Sequence, residues 1–159
     1  MSQPHFLFLF FAFVIGFLGG LRSLTPAAAT AWAVHLGWLV VPDSLSWIGS
    51  TYAVAIFTLL AVVELVADKL PKAPSRTAPP GLIARISMGG LTGACIAAAG
   101  GQGAIPGAIV GAAGGIVGAF GGYQARTRLV KSLGAPDFVI AVLEDLVAIG
   151  GSLLLVSRF

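Results

Sequence analysis

Apolar and polar stretches alternate along the chain in a way that is typical of a multispan membrane protein. A helix needs about 20 mainly apolar residues to cross a bilayer, and lipid offers backbone N–H and C=O groups no partners outside the helix. We therefore expect an all-α fold, a compact polytopic bundle of about six short transmembrane helices. The apolar segments run from His5 to Leu21, about Pro26 to Val41, Trp47 to Ala67, Gly81 to Ala99, Gly103 to Gln124 and about Asp137 to Val156.

The second apolar segment leaves two arrangements open. Thr25 can cap a helix and Pro26 can take its first position, but the segment from Pro26 to Val41 is short for a span. It is therefore either a tilted span or a re-entrant piece. The stretch Pro42–Ser44 predicts a turn after it.

The first apolar segment resembles the core of a secretory signal peptide, with the alanine-rich stretch Pro26–Ala31 as a cleavage region. Signal peptides normally begin with a positively charged region. Met1–Pro4 contains no Lys or Arg. We therefore expect the first segment to stay in the protein as a helix.

The fifth apolar segment carries a stripe of glycines that predicts close helix packing. At about 100° per residue, its glycines fall within an arc of roughly 120°, whereas Ile105 and Ile109 fall outside it. Small residues on one face let neighbouring backbones approach, while bulky residues on the other face meet lipid. We expect this central glycine-rich helix to pack within the bundle or against another copy of the chain. The packing residues would be Gly107, Gly111, Gly115 and Gly118.

Composition agrees with a membrane protein and argues against two functional classes. Hydrophobic residues make up 57% of the chain and charged residues 9%, whereas soluble domains contain about 25% charged residues. Cys95 is the single cysteine, so one chain can form neither a disulfide framework nor a thiolate metal cluster. No run of basic residues alternates with aromatic residues, so we expect no nucleic-acid partner.

The chain predicts a single integral membrane domain, residues 1–159, in two halves. Half one covers about 1–70, a proline-rich basic loop about 68–81, and half two about 82–159. With three spans in each half, an internal repeat would be inverted in the membrane, and Ala61–Ala67 resembles Ala141–Ala148. Strict inversion would place Glu64 and Glu144 at mirrored depths, whereas the charge pattern puts both in one half of the membrane. A true repeat and a chance agreement between apolar stretches both remain open.

The basic residues predict the orientation of the chain. If all six segments cross, every Lys and Arg except Arg158 lies on one side, which the positive-inside rule assigns to the cytoplasm. Both termini would then face outward from the inner (plasma) membrane. If Pro26–Val41 re-enters instead, the N-terminus is cytoplasmic and Arg22 moves outside. Six crossings fit the charges better.

Acidic side chains within apolar segments are the best candidates for ion or substrate binding. Glu64 lies in an apolar run, where a carboxylate is costly unless it is paired, protonated or in a wet cavity. Asp68 follows one helical turn later on the same face. In the alternative, Arg22, Arg85 or Arg126 neutralises the acids and fixes helix positions. The candidate acids are Glu64, Asp68, Glu144 and Asp145.

The basic residues around the proline-rich loop have two interpretations. They could hold an anionic lipid headgroup or a phosphate-bearing substrate. They could instead act only as topology determinants and charge partners. The residues concerned are Arg22, Lys69, Lys72, Arg76, Arg85 and Arg126.

Catalytic and cofactor motifs are absent from the sequence. It contains no nucleophile elbow, no zinc-protease helix motif and no phosphate-binding loop. His5 and His35 are far apart in sequence, which makes a metal pair a weak hypothesis. We therefore expect no enzyme activity, no cofactor and no metal, and an enzyme acting on lipid headgroups is the weakest alternative.

Three stretches, Gly19–Pro26, Glu64–Thr77 and Leu143–Ala148, carry a resemblance to a known family. Together they resemble the small bacterial membrane proteins grouped as domain of unknown function 4126. The Glu-Leu-x-Ala-Asp-Lys-x-Pro pattern that begins at Glu64 is the most specific part, and the resemblance covers nearly the whole chain. It implies a bacterial integral membrane protein. The family has no established activity, so the resemblance assigns no role to any residue.

Our leading functional prediction is a small transporter or ion-coupled permease. The acids would line a cavity open to the cytoplasm, and glycine contacts would let the two halves shift. The alternative is a non-transporting scaffold or lipid-interacting protein assembled through glycine contacts. Acids converging on a hydrated cavity would favour transport, whereas acids capped by arginines in a dry core would favour the scaffold. Expected partners are membrane lipids, with a small ion or solute in the first case and further copies of the chain in the second.

Overall fold

The computed structural model describes residues 4–159, and within that range it contains helices and no strands. Residues 1–3 and the side chain of His5 lie outside the described part. Two sequence-based predictions depend on these residues: the retention of the first segment, argued from the N-terminal residues, and the metal pair of His5 and His35. Both predictions lie outside the described part. The helices are α1 His5–Leu21, α2 Leu24–His35, a 3-10 helix Asp43–Gly49, α3 Thr51–Ala67, α4 Pro79–Ala99, α5 Ala104–Leu133 and α6 Asp137–Val156.

Three of the described helices, α4, α5 and α6, are long and apolar enough to cross a membrane. The 3-10 helix and α3 add a fourth candidate if they act as one span with a 57° bend between them. The apolar part of α1, Phe6–Leu21, is shorter. These lengths indicate a membrane protein with three or four candidate spans, fewer than the apolar pattern predicts.

α4 and α5 pack with their backbones in contact, because glycines face each other. Gly89 of α4 meets Gly111 of α5, where an added Cβ on Gly111 would lie 2.2 Å from the Gly89 carbonyl oxygen. Gly93 meets Gly107 in the same way, and a Cβ on Gly93 would lie 2.4 Å from the Gly107 carbonyl oxygen. Only residues without a side chain allow this approach. The order of the contacts makes the two helices antiparallel.

α1 packs on the same helix α5, again through glycine. A Cβ on Gly16 would lie 2.0 Å from the Gly111 carbonyl oxygen, and a Cβ on Gly20 would lie 2.5 Å from Cα of Gly118. Both contacts advance along the chain in the same direction, so α1 and α5 run parallel. The positions singled out for packing, Gly107, Gly111, Gly115 and Gly118, are all buried.

α2 and α3 form an antiparallel hairpin whose two open ends lie at the same end of the bundle. Trp32 Nε1 donates a hydrogen bond to Thr58 Oγ1 at 3.0 Å. At the open ends, Arg22 Nη1 lies 3.0 Å from Asp68 Oδ2. The alternative in which re-entry of Pro26–Val41 separates Arg22 from the other basic residues therefore does not describe this chain.

α6 runs antiparallel to α1. Leu18 packs on Gly151, and Arg22, which follows α1, meets Asp145 in the first half of α6. α6 therefore begins at the end where α3 finishes, so the acidic motifs of these two helices lie at the same end of the bundle. A strictly inverted repeat would place them at opposite ends, so this placement does not support the repeat.

α5 continues well past the predicted end at Gln124. The segment Arg126–Lys131, which lies between the predicted fifth and sixth apolar segments, forms its last turns. The reason is local, because no Gly or Pro interrupts the chain between Tyr123 and Leu133. Gly134 then stops the helix in the left-handed conformation, with φ of 61°, as C-terminal glycines commonly do.

Two other boundaries differ from the sequence-based prediction. α2 begins at Leu24 and ends at His35, and its 12 residues correspond to about 18 Å at 1.5 Å per residue. The span expected over Trp47–Ala67 is bent rather than continuous, because the chain turns by 57° between the 3-10 helix and α3. Ser50 marks the break, since its Oγ accepts a hydrogen bond from Ala53 N–H at 3.2 Å and caps α3.

Replacing Gly111 by Ala should destabilise the bundle, because the new methyl group would lie 2.2 Å from the Gly89 carbonyl oxygen. Overpacking of this kind costs about 1–3 kcal/mol. We therefore expect a lower unfolding midpoint for Gly111→Ala in a thermal melt followed by circular dichroism in micelles. Gly150→Ala on α6 is the matched control, because a Cβ at Gly150 meets no atom within 4 Å. Equal midpoints for the two variants would contradict the backbone contact.

Candidate functional site

Most charged side chains gather at one end of the bundle, which we call the charged end. There α1, α3 and α5 finish and α2, α4 and α6 begin, so six helix termini bring their polar residues together. The acids of the network are Glu64, Asp68, Asp137, Glu144 and Asp145, and its bases are Arg22, Lys69, Arg76, Arg85 and Arg126.

Arg22 lies at the centre of this network and has 0% solvent exposure. Its Nε lies 2.6 Å from Asp145 Oδ1, and its Nη1 lies 3.0 Å from Asp68 Oδ2 and 3.1 Å from the Leu21 carbonyl oxygen. Lys69 donates to the other oxygen of Asp145. A buried ion is tolerated only with well-placed partners, so Arg22 ties the end of α1 to the end of α3 and to α6.

Glu64 caps the start of α2 from the neighbouring helix α3. Its Oε1 accepts from the N–H and the hydroxyl of Ser23 at 2.8 and 2.6 Å, and its Oε2 accepts from Leu24 N–H at 2.9 Å. The first N–H groups of a helix lack intrahelical partners and lie at the positive end of its dipole. Thr25, the predicted cap, lies inside the helix and is buried, so that prediction was wrong.

Arg76 and Glu144 fasten the proline-rich loop to α6. Arg76 Nη1 and Nη2 lie 2.8 and 2.7 Å from the two carboxylate oxygens of Glu144, which is a bidentate ion pair. Arg126 of α5 lies 3.5 Å from the same carboxylate, and its Nε donates to Asp137 at 2.8 Å. The loop, α5 and α6 are therefore joined at one point.

Arg85 is buried in the first turns of α4 and bonds mainly to backbone. Its Nε donates to the Gly20 carbonyl oxygen and its Nη1 to the Gly81 carbonyl oxygen, both at 3.0 Å. Its ion pair is longer, because Nη2 lies 3.8 Å from Asp68 Oδ2. Arg85 therefore bonds one carbonyl group at the end of α1 and one in its own helix, while among the described residues Nη2 makes no hydrogen bond shorter than this 3.8 Å ion pair.

The acids predicted to bind an ion or substrate are each held by groups of the protein. Glu64 accepts from backbone and hydroxyl donors, as described above. Asp68 and Asp145 pair with Arg22, and Glu144 pairs with Arg76. This arrangement corresponds to the charge-pairing alternative more closely than to acids that converge on open space.

A cavity of about 670 Å³ opens at the charged end, between the proline-rich loop, the last turns of α5 and the first turn of α6. Five cationic side chains and two carboxylates, Asp68 and Asp137, line it. We call it the cationic cavity. Lys72, which we had grouped with the other basic residues, is exposed and is not part of the lining. The cationic lining residues are Lys69, Arg76, Arg85, Arg126 and Lys131.

Sequence reasoning missed the part of this lining that comes from α5. Tyr123, Thr127 and Lys131 line the cavity together with Arg126, and this spacing places them along one helical face. Ending the helix at Gln124 concealed that face. The absence of helix-breaking residues before Gly134 was the signal that could have revealed it.

No group of three or more His, Cys, Asp and Glu suited to a metal ion occurs among the described residues. His35 Nδ1 lies 2.8 Å from the Gly49 carbonyl oxygen, so His35 links α2 to the 3-10 helix. Cys95 is a buried thiol in α4. The chemistry of the charged end is therefore that of carboxylates, guanidinium groups and ammonium groups.

Comparison with protein families gives one finding for this chain. The family described as Domain of unknown function (DUF4126) matches residues 9–157, nearly the whole chain. No curated protein and no solved structure is similar to it. The matched region includes all the residues of the charged network.

Replacing Glu64 by Gln should destabilise α2. A neutral amide has one acceptor oxygen, so it cannot accept from both Ser23 and Leu24 as the two carboxylate oxygens do. The loss of a helix cap corresponds to about 0.5–2 kcal/mol of unfolding free energy, measured by denaturant titration in micelles. Ser23→Ala removes one donor of the same cap, so the double variant should lose less than the sum of the single losses. Asp43→Asn, an exposed acid at the start of the 3-10 helix, is the control. Strictly additive losses would contradict the cap.

Proposed function

The chain belongs to the Domain of unknown function (DUF4126) family, and for this member we propose a function in binding an anionic lipid through the phosphate of its headgroup. The observation that carries the proposal is the cationic cavity, whose lining has five cationic side chains and two carboxylates. Three of the five, Lys69, Arg76 and Arg126, pair with acids of the network, and the cationic charge that remains attracts an anion. The family name contributes no activity, so the proposal rests on the site.

Two of the cavity's cationic side chains have charge to offer a ligand. Lys131 makes no ion pair among the described residues. Arg85 lies 3.8 Å from Asp68, a carboxylate that Arg22 approaches more closely, at 3.0 Å. Phosphate oxygens are strong acceptors for guanidinium and ammonium donors. Both side chains are therefore suited to hold a phosphate group.

The cavity also has an apolar side, which favours a lipid over a free solute. Leu70, Val130 and Phe138 contribute to its lining, and Leu70 and Phe138 are more than half exposed. Basic pockets beside membrane helices bind lipid headgroups on the cytoplasmic side of a membrane. Apolar side chains next to the cations would contact the glycerol and upper acyl region of the same lipid.

Transport of an ion or solute is the second candidate, and the geometry gives it less support. A cation path through a membrane protein needs carboxylates that face a wet cavity. Glu64, Glu144 and Asp145 are engaged by protein donors, and of the acids predicted to bind an ion only Asp68 lines the cavity. A lipid-interacting protein is therefore our conclusion.

We further propose six crossings of the inner (plasma) membrane, with the charged end in the cytoplasm and both termini outside. Consecutive helices alternate in direction, and every Lys and Arg except Arg158, of nine in the chain, belongs to the charged end. By the positive-inside rule this end is cytoplasmic. The hairpin of α2 and α3 begins and ends there, so the orientation of the other helices does not depend on how deep the tip of the hairpin lies in the membrane.

In this arrangement the glycines between α1, α4 and α5 act as a glycine zipper.

Lys131→Gln should weaken the binding of phosphatidylglycerol about fivefold, because one basic side chain near an anionic headgroup contributes ~1 kcal/mol. Native mass spectrometry of the protein titrated with phosphatidylglycerol measures this, with phosphatidylcholine as the baseline lipid. Arg128→Gln is the matched control, since Arg128 is an exposed cation of the same helix that does not line the cavity. Equal weakening by the two variants, or equal binding of the two lipids, would overturn the site.

Two further measurements separate the lipid from its alternatives. Thermal stabilisation by inorganic phosphate but not by phosphatidylglycerol would identify a soluble anion as the ligand. Proton or cation flux in proteoliposomes that Glu64→Gln and Glu144→Gln both abolish would favour transport. We expect stabilisation by the lipid and no flux.

Reporter fusions should show the charged end in the cytoplasm. Alkaline phosphatase is active only outside the cytoplasm, so it should be active when fused after Phe159 and inactive when fused after Gly134. Green fluorescent protein at the same two positions should give the reciprocal pattern. Phosphatase activity at Gly134 without activity at Phe159 would reverse the proposed orientation.

A further inference from the structure

Buried polar side-chain atoms without a hydrogen-bond partner are confined to one region of the described chain. They belong to the end of α1, to α2 and to α6, three elements that pack against one another. We call this set of unpartnered atoms the polar seam. The atoms are Arg22 Nη2, Thr25 Oγ1, Thr30 Oγ1 and Ser152 Oγ.

The seam leads from the charged end into the interior of the bundle. α2 and α6 both begin at the charged end, where Arg22 Nε lies 2.6 Å from Asp145 Oδ1. Thr30 follows Arg22 by eight residues, and Ser152 follows Asp145 by seven. Seven residues of helix advance about 10 Å and return to the same face. Thr30 and Ser152 therefore lie at a similar depth, with Thr25 between them and the ion pairs.

The unpartnered hydroxyls are unusual for this protein. Elsewhere, Thr92 Oγ1 donates to the Met88 carbonyl oxygen at 2.9 Å and Thr58 Oγ1 donates to the Val54 carbonyl oxygen at 2.7 Å, each within its own helix. The hydroxyls of the seam make no such bond, although Thr30 and Ser152 have 0% exposure. Leaving a buried polar group unpaired costs more than a typical hydrogen bond contributes. A hydrogen-bonding ligand in the seam removes that cost.

Small side chains flank the hydroxyls along both helices. Ala27, Ala31 and Ala33 lie on α2 around Thr30, and all three have 0% exposure. Ala148, which lies one turn before Ser152 on α6, is equally buried. Buried water needs a polar site with room for a small molecule and two to four partners. The unpartnered polar atoms of the seam provide such partners, and the neighbouring alanines leave little side-chain bulk around them.

We infer that ordered water molecules occupy the polar seam, one group bridging Thr30 and Ser152 and another joining Thr25 to Nη2 of Arg22. Water fits because it can both donate and accept a hydrogen bond. The hydroxyl groups need a donor and an acceptor, and the guanidinium N–H needs an acceptor. None of the four residues lines the cationic cavity. The inference therefore does not depend on the lipid-binding proposal.

Magnetisation transfer from water, measured by solid-state NMR on the protein in lipid bilayers, tests this directly. The side-chain signals of Thr30 should receive magnetisation from water at a rate close to that of Thr127, which is exposed. Thr92 should receive little, because it is buried and its hydroxyl is bonded within its helix. A transfer rate for Thr30 no higher than that for Thr92 would overturn the inference.

The sign of a stability change provides a second readout. In a dry seam, Thr30→Val and Ser152→Ala each remove an unpaired hydroxyl, so the unfolding midpoint should rise or stay unchanged. In a hydrated seam each variant removes a partner of bound water, and we expect the midpoint to fall by about 2–4 °C for a chain of this length. Thr92→Val is the matched control and should change little, because intrahelical hydroxyl bonds contribute little to helix stability. A rise or no change in the midpoint for both seam variants would overturn the inference.

Discussion

A buried positive charge that must be neutralised is the constraint on which the charged end depends. Arg22 has no solvent exposure, and removing a guanidinium from water costs several kcal/mol unless carboxylates and carbonyl groups surround it. One carboxylate partner, Asp68, follows α3, the other, Asp145, lies within α6, and the carbonyl partner ends α1. These elements cannot separate at this end without leaving an ion unpaired in a medium that does not solvate it. The cluster therefore sets the positions of the α2–α3 hairpin and α6 relative to α1.

The glycine contacts determine where those charges can lie. Within lipid, apolar side chains provide no hydrophobic drive for helix association, so packing depends on how closely backbones can approach. Gly19 of α1 lies against Gly89 of α4, and this approach brings the Gly20 carbonyl oxygen within 3.0 Å of Arg85 Nε. The small residues and the buried arginines thus form one system. The glycines bring the helix ends together, and the arginines bond the carbonyl groups and acids found there.

Local signals in the sequence predicted what depends on local chemistry. The proline and acid at the start of α6 marked its first residue correctly, since Pro136 cannot continue a preceding helix and Asp137 favours a helix start. The same reasoning failed at α5, where Gln124 was chosen as the end although no helix-breaking residue follows until Gly134. The cap of α2 could not be predicted in this way, because Glu64 lies 41 residues from Ser23 in the chain. The cavity lining could not be predicted either, since it depends on how the proline-rich loop, α4, α5 and α6 pack.

The cap that α3 places on α2 has a consequence for how the chain is synthesised. While α2 leaves the ribosome, its first N–H groups have no acceptor, because the carboxylate that binds them is translated only later. An apolar helix this short, with unsatisfied N–H groups at its terminus, is unstable in lipid without a partner helix. Insertion of α2 should therefore wait for α3, so that the insertion machinery handles the pair as one hairpin rather than as two successive helices.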